Sequence, residues 1–392
     1  LIKYYIYLFI ILIGFSTKAQ DASLPEDTQI SVITIGPGAS LSDQFGHNAF
    51  RVKSNEAGFD VIYDYGRFDF DTPNFYLKFA QGKLLYEIGS NNFEPFYHHY
   101  RNQNRWLKEQ SLNLNTTEKQ AIFDFLQENI KPENRKYKYD FFFDNCATKI
   151  RDVLVDVLGN KLNYGNKYVT EDATFRQLIQ KNLNANSWGS LGIDAALGAI
   201  IDRKATPWEH QFLPEYIYKA AQVATIERPD GHVDLVNRST DLYISKPVKK
   251  DANFLLSPLF VLGILSAFII FITLRDFQKK QRSRWLDGVI FLITGLIGLL
   301  LFLLWFATDH TATANNYNLL WAFPFNILFL GVICKKVPKA WFQRYIIFLI
   351  LLLLLLSIHW MTGVQVFAIG LLPFFIALMI RYVFLAGFLR KK

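Results

Sequence analysis

From Phe254 onward the chain is organised by apolar segments at about 254–274, 287–307, 319–334, 345–361 and 366–386, each near the length a helix needs to cross hydrocarbon. A helical membrane domain over 252–392, of about five helices, is the expectation. The third segment is the shortest and contains Pro324, which weakens it as a continuous helix. The stretches "RDFQKKQRSR" (275–284) and "KKVPKAWFQR" (335–344) and the final "RKK" are basic, whereas "TDHTATANNYN" (308–318) and the turn near "MTGVQ" carry no lysine or arginine. Positive loops stay on the cytoplasmic side. Five crossings with these loops alternating put the C-terminus in the cytoplasm and residues 20–251 outside it. The first residues agree: Lys3, an apolar stretch from Tyr4 to Phe15, and Thr17 and Ala19 before a cleavage point make 1–19 a secretory signal peptide.

A formal net charge of +8 raises the question of a nucleic-acid partner. Its location answers it. From Ala252 there are 13 Lys/Arg against 3 Asp/Glu, while residues 20–251 hold 27 against 31. The basic excess follows membrane orientation, the exported domain is mildly acidic, and no nucleic acid is expected.

Within 20–251, "ISVITIG" (30–36), "HNAFRV" (47–52), "FDVIYDY" (59–65) and "KLLYEIG" (83–89) read as strands of a mostly antiparallel sheet. Helices are expected at 116–130, where Thr117 and Gln120 suggest a capping box, at 174–183, and over Ala195 to Ile201 and Pro214 to Ala224. The fold class is therefore α+β for the exported domain, followed by an all-α transmembrane domain.

The chain has two cysteines, Cys146 and Cys334, expected on opposite sides of the membrane, so no internal disulfide joins them. In "FFFDNCATKIRD" (141–152), Cys146, Ile150, Val153 and Val157 share one face of a predicted helix, with Asp144 or Asn145 as its N-cap. That position puts the thiol among free backbone N–H groups at the positive helix end, which favour a thiolate and could hold an oxyanion. Burial as an ordinary packing residue is the competing reading. In "SDQFGHNAFRV" (42–52) Gly46 allows a tight turn and His47 opens a strand, where it could serve the thiol as general base. Asp64 in "YDYGRFDF" is the candidate to orient the imidazole, with Asp60 as its rival. The aromatic runs "FFF" (141–143) and "FYHHY" (96–100) fit either a core or the wall of an acyl pocket. His98 and His99 are adjacent, a poor spacing for one metal, and no cofactor fingerprint occurs.

Histidine on a strand, a second strand, and a later "NC" opening a helix resemble the permuted NlpC/P60 branch of papain-like thiol hydrolases and acyltransferases. "FGHNAFRV", "YDYGRFDF", "NFYLKFAQGKLLY", "DNCATKIRD" and "NNYNLLWAFPFN" together resemble the bacterial lipoprotein N-acyltransferase family called Lnb. The resemblance implies Cys146 as nucleophile, His47 as base and Asp64 as third member, with Asn145, His310, Asn316 and Asn318 near the substrate. It implies a multi-pass protein of the bacterial inner membrane with no cofactor. Its partners would be a phospholipid acyl donor, a diacylated lipoprotein acceptor and the bilayer. The implied reaction moves a fatty acyl chain through a Cys146 thioester to the α-amino group of an S-diacylglyceryl-cysteine. The alternatives are a membrane-bound cysteine hydrolase, cutting peptidoglycan peptides or phospholipids, and a non-enzymatic protein that keeps the fold.

Overall fold

Alternating β-branched residues decide the first layer. The computed structural model describes residues 23–247 and 253–390, so the signal-peptide reading of 1–19 and the boundary at 251–252 lie outside the described residues. The strands are β1 (Gln29–Ile35), β2 (His47–Ser54), β3 (Phe59–Arg67), β4 (Leu85–Asn92), β5 (Leu107–Leu112), β6 (Lys136–Lys138), β7 (Leu162–Asn163), β8 (Thr225–Arg228), β9 (Gly231–Asp234) and β10 (Val236–Tyr243). Seven of them form an antiparallel sheet in the order β10-β5-β1-β2-β3-β4-β6, and β7-β8-β9 form a small second sheet. Ile30, Val32, Phe50, Val52, Tyr63 and Tyr65 point to one face, and Ile33, Ile35, Ala49 and Ile62 to the other. Both faces are covered.

Among the described residues, the helices of six or more residues in this domain are α1 (Phe75–Ala80), α2 (Phe93–Asn102), α3 (Thr116–Asn129), α4 (Cys146–Leu158), α5 (Phe175–Gln180), α6 (Trp188–Ala196) and α7 (Pro214–Val223). Ile122 and Leu126 of α3, Ile150, Val153 and Leu154 of α4 and Ile217 of α7 pack on the first face, while Phe96 of α2 packs on the second. The capping box of α3 is Asn115 with Glu118, not Thr117 with Gln120, so the helix begins two residues earlier than that pair would allow. The helix expected over Ala195 to Ile201 is instead the end of α6 and a 3-10 turn, Ala199–Asp202, divided at Leu197, which is extended. Strands β5 and β10 escaped the sequence reading because "LKEQSL" and "VNRSTDLY" lack a clean apolar alternation.

Four helices of the second domain are long and apolar enough to cross a membrane: α8 (Pro258–Gln278), α9 (Arg284–Phe306), α10 (Trp341–Met361) and α11 (Leu372–Arg390). The third expected span is not a continuous helix. It runs as short turns, Tyr317–Leu320, Pro324–Asn326 and Leu330–Ile333, pressed against α9. Two glycines of α9 admit this irregular backbone: a Cβ at Gly298 would lie 2.1 Å from the Ala322 carbonyl oxygen, and one at Gly295 would lie 2.7 Å from the Ile327 nitrogen. Inside the bundle, Asn326 donates to Thr294 Oγ1 at 2.8 Å and accepts from the Tyr345 hydroxyl. Non-helical backbone at membrane depth persists only where protein satisfies it, as here. The segment still joins both ends of the bundle, from Asn318 beside the first domain to Cys334, whose carbonyl accepts from Arg284. Both basic loops therefore sit at the end of the bundle away from the sheet.

Candidate active site

The register of one hairpin brings two polar side chains together. In the β2/β3 pair Ala49 lies opposite Asp64, so His47, two residues on, is Asp64's diagonal neighbour on the same face. His47 Nε2 is 3.0 Å from Asp64 Oδ2. The rival Asp60 is four residues down the strand, about 13 Å at ordinary strand rise, and its oxygens accept from Arg51 at 2.6 and 2.7 Å. Asp64's second oxygen accepts from Arg67 Nε at 2.8 Å, across the bulge that follows Asp64. Gly89 makes room for that guanidinium, since a Cβ there would lie 2.4 Å from Arg67 Nη1.

Helix α4 supplies the thiol. Asn145 is its N-cap, and the side-chain oxygen accepts from Ala147 N–H at 2.8 Å and Thr148 N–H at 3.0 Å. Its amide nitrogen donates to the carbonyls of Phe141 and Phe212 at 2.6 and 2.9 Å. Every polar atom of this buried side chain is thus engaged in fixing the helix start, which is the structural place of the predicted substrate contact Asn145. The same cap corrects the expected oxyanion donors: the N–H groups of Ala147 and Thr148 are taken, and the N–H of Cys146 itself is left as the helix-start donor next to the thiol. Opposite α4 stands Gly66, at φ 90°, a left-handed backbone that favours glycine; a Cβ there would be 3.6 Å from that of Cys146, an ordinary contact distance. Cys146 is partly exposed and forms no disulfide, and it is close enough to His47 to act on the charge of the ring. With Asp64 on Nε2, Nδ1 is the ring nitrogen open to the thiol.

Electrostatics follow from this packing. Burial by itself would push the His47 imidazole down, but the neighbouring Tyr100 and Cys146 and the hydrogen bond donated to Asp64 outweigh it and hold the ring well above its usual pKa. Burial likewise would raise Asp64, yet His47 and Arg67 keep its carboxyl below the usual range. The arrangement suits an imidazolium between two anions.

Three further groups surround the pair. The Tyr100 ring lies 6.2 Å from the His47 ring, and the Arg105 guanidinium lies 4.8 Å above Tyr100. Arg105 is buried; its Nε donates to Gly36 O at 2.7 Å, while Nη2 has no partner. Tyr139 packs beside Gly66 near the thiol. Arg67 lies within "YDYGRFDF" and its spacing to Asp64 could have found it; Tyr100 belongs to "FYHHY", read as core or pocket wall, and Arg105 and Tyr139 carry no local signal.

His47, Asp64, Cys146 and Arg105 open into one cavity of about 1180 Å³, mostly apolar. Phe141 and Phe142 of the "FFF" run line it, whereas Phe143 does not; from "FYHHY", Tyr100 lines it and Phe96 belongs to the core. One wall comes from the membrane domain, residues 309–313. His310 is in that wall, its Nε2 donating to Phe79 O at 3.0 Å. Asn316 and Asn318 are not. Both are buried, with amides donating to the carbonyls of Ala195 and Ala196 and of Asp194 and Ala195 respectively, so they join the domains behind the cavity.

Residues 16–181 match the family model described as the Lnb N-terminal periplasmic domain, and residues 249–392 match the Lnb transmembrane domain. No curated protein and no solved structure matches the chain.

Proposed function

We propose, from the premise that the chain belongs to the Lnb family, that it is a lipoprotein N-acyltransferase whose thiol works at the periplasmic surface of the membrane. One observation carries the reading: Cys146 and the His47–Asp64 pair share an apolar cavity that the membrane domain completes. A cell-wall peptide would find little polar surface there, which favours an acyl chain over the peptidase alternative.

In the first half-reaction the Cys146 thiolate attacks a phospholipid ester carbonyl. The carbon–oxygen bond to glycerol breaks, the His47 imidazolium protonates the departing oxygen, and a lysophospholipid leaves a thioester behind. In the second half the α-amino group of an S-diacylglyceryl-cysteine attacks that thioester. The carbon–sulfur bond breaks, His47 takes the amine proton, and the amide product departs from a restored thiolate–imidazolium pair. Asp64 holds the ring in place through both halves, itself fixed by Arg67. The N–H of Cys146 and the unpartnered Arg105 Nη2 are the nearby donors for the developing negative charge. Of the residues expected to meet substrate, His310 keeps that role, Asn145 borders the cavity with its amide committed to the helix cap, and Asn316 and Asn318 hold the wall from behind. The basic loops at the far end of the bundle support a cytoplasmic C-terminus.

The test is mass spectrometry of lipoprotein N-terminal peptides from a strain in which this protein is the sole such enzyme. Cys146→Ala at normal protein level should abolish N-acylation and the hydroxylamine-sensitive acyl adduct on the protein. Peptides that stay N-acylated would refute the proposed nucleophile.

A further inference from the structure

Helix α1 has the sequence "FYLKFA", and none of its residues is buried. That is a poor arrangement in water. Around it Phe68, Phe70, Leu77, Phe79 and Leu85 are all exposed, Tyr76 is 80% exposed and Phe70 67%. Single exposed apolar residues need no explanation, but a contiguous group of this kind marks a binding surface.

The position of the patch selects the occupant. The carbonyl of Phe79 accepts from His310 Nε2, and that of Gln81 accepts from Asp309 N–H at 2.9 Å. Asp309 lies three residues past the end of α9, whose last residue, Phe306, is exposed on the bundle surface. The patch therefore continues the apolar outside of the membrane bundle at its sheet-facing end. Lys78 and Lys83 flank it, where long basic side chains reach anionic headgroups.

The aromatic rings continue inward from the surface. Phe70 and Phe75 are 4.8 Å apart, Phe70 and Phe68 5.0 Å, Phe68 and Tyr86 5.4 Å, and Tyr86 stacks on Tyr139 at 4.3 Å. Tyr139 borders Gly66, across from the thiol, and Phe68, Tyr86 and Tyr139 all line the cavity. We infer that residues 68–80 are seated in the outer leaflet of the bilayer and that this ring series is the path by which a lipid chain reaches Cys146. The leaflet contact stands on its own, whereas the path rests on the acyl-donor reading above.

A nitroxide at Tyr76→Cys or Leu77→Cys, in a Cys146→Ser, Cys334→Ser background, tests the contact in nanodiscs of phosphatidylethanolamine and phosphatidylglycerol. Oxygen should relax these labels more than a polar nickel chelate does, with the opposite order for a control at Glu56→Cys on the exposed β2/β3 turn. Labels at 76 and 77 that behave like the control overturn the contact, and labels shielded from both reagents overturn it in favour of a protein partner. The path is tested by Tyr76→Asp with Leu77→Asp in the otherwise intact chain. Adduct formation from bilayer phospholipid should fall on the order of tenfold, while iodoacetamide alkylates Cys146 at the unchanged rate. An undiminished adduct rate overturns the path. An intact protein that forms no adduct while the 76 and 77 labels favour oxygen overturns the acyl-donor reading and supports the leaflet contact.

Discussion

Two buried arginines show how differently the two ends of the first domain use charge. Arg176, at the junction with the membrane domain, has a partner for every guanidinium nitrogen: Asp194 at 2.8 Å, Asp202 at 2.9 Å and the carbonyls of Leu197 and Gly198 at 3.1 Å. Asp202 also accepts from Val366 N–H and Asn318 donates to Asp194 O, so the same cluster ties the domains together. Arg105, beside the thiol, is equally buried but leaves Nη2 unpartnered. A fully satisfied network fixes a geometry, while an unsatisfied donor beside a cavity holds capacity in reserve for a ligand.

Removing charge from each network should separate the two uses. Arg176→Ala leaves two carboxylates buried without a counter-ion and should cost about 3–5 kcal/mol, seen as a large drop in thermal stability in nanodiscs. Asp64→Asn, which keeps the shape and an acceptor for His47, should lower the melting temperature less than Arg176→Ala and lower acyl transfer by roughly 10²–10⁴-fold, measured as thioester formation in a single turnover. If Asp64→Asn unfolds the protein as Arg176→Ala does, the distinction between the two clusters fails. Asn145→Ala lies between them. It should lose about 1 kcal/mol as a missing helix cap and slow Cys146 alkylation as well, because the same side chain positions the thiol.

The smallest effect is a pH dependence. The His47 pKa is raised on folding, so its contribution to stability is complete below about pH 6.5 and is lost as the pH rises through the folded value. The melting temperature of the native protein relative to His47→Gln should therefore be highest in mild acid and shrink toward alkaline pH. A gap that widens with pH would contradict the imidazolium assignment.

What the sequence disclosed depended on the range of the interactions involved. Alternation in "ISVITI" and helical spacing after Cys146 are local, and they located β1 and α4 within a residue or two. The choice between Asp64 and Asp60 was not local, since only the register of β2 against β3 decides which carboxylate meets His47. Composition marked the third membrane segment as apolar, and Pro324 hinted at its break. The glycines of α9 that accept the broken backbone, however, gain meaning only from a neighbour some 25 residues away. Asn316 and Asn318 looked like substrate contacts because they are polar residues at a span end, a signal that also fits their observed place joining two domains.

The cavity wall formed by residues 309–313 has a consequence for how the protein is made. Synthesis proceeds from the N-terminus, so the sheet, the histidine and the thiol emerge before that wall exists. Until α9 is threaded into the bilayer and the following loop folds back, the cleft around Cys146 stays open on one side. Enclosure of the thiol thus waits on membrane insertion, and a chain stalled before it would carry its reactive pair unenclosed.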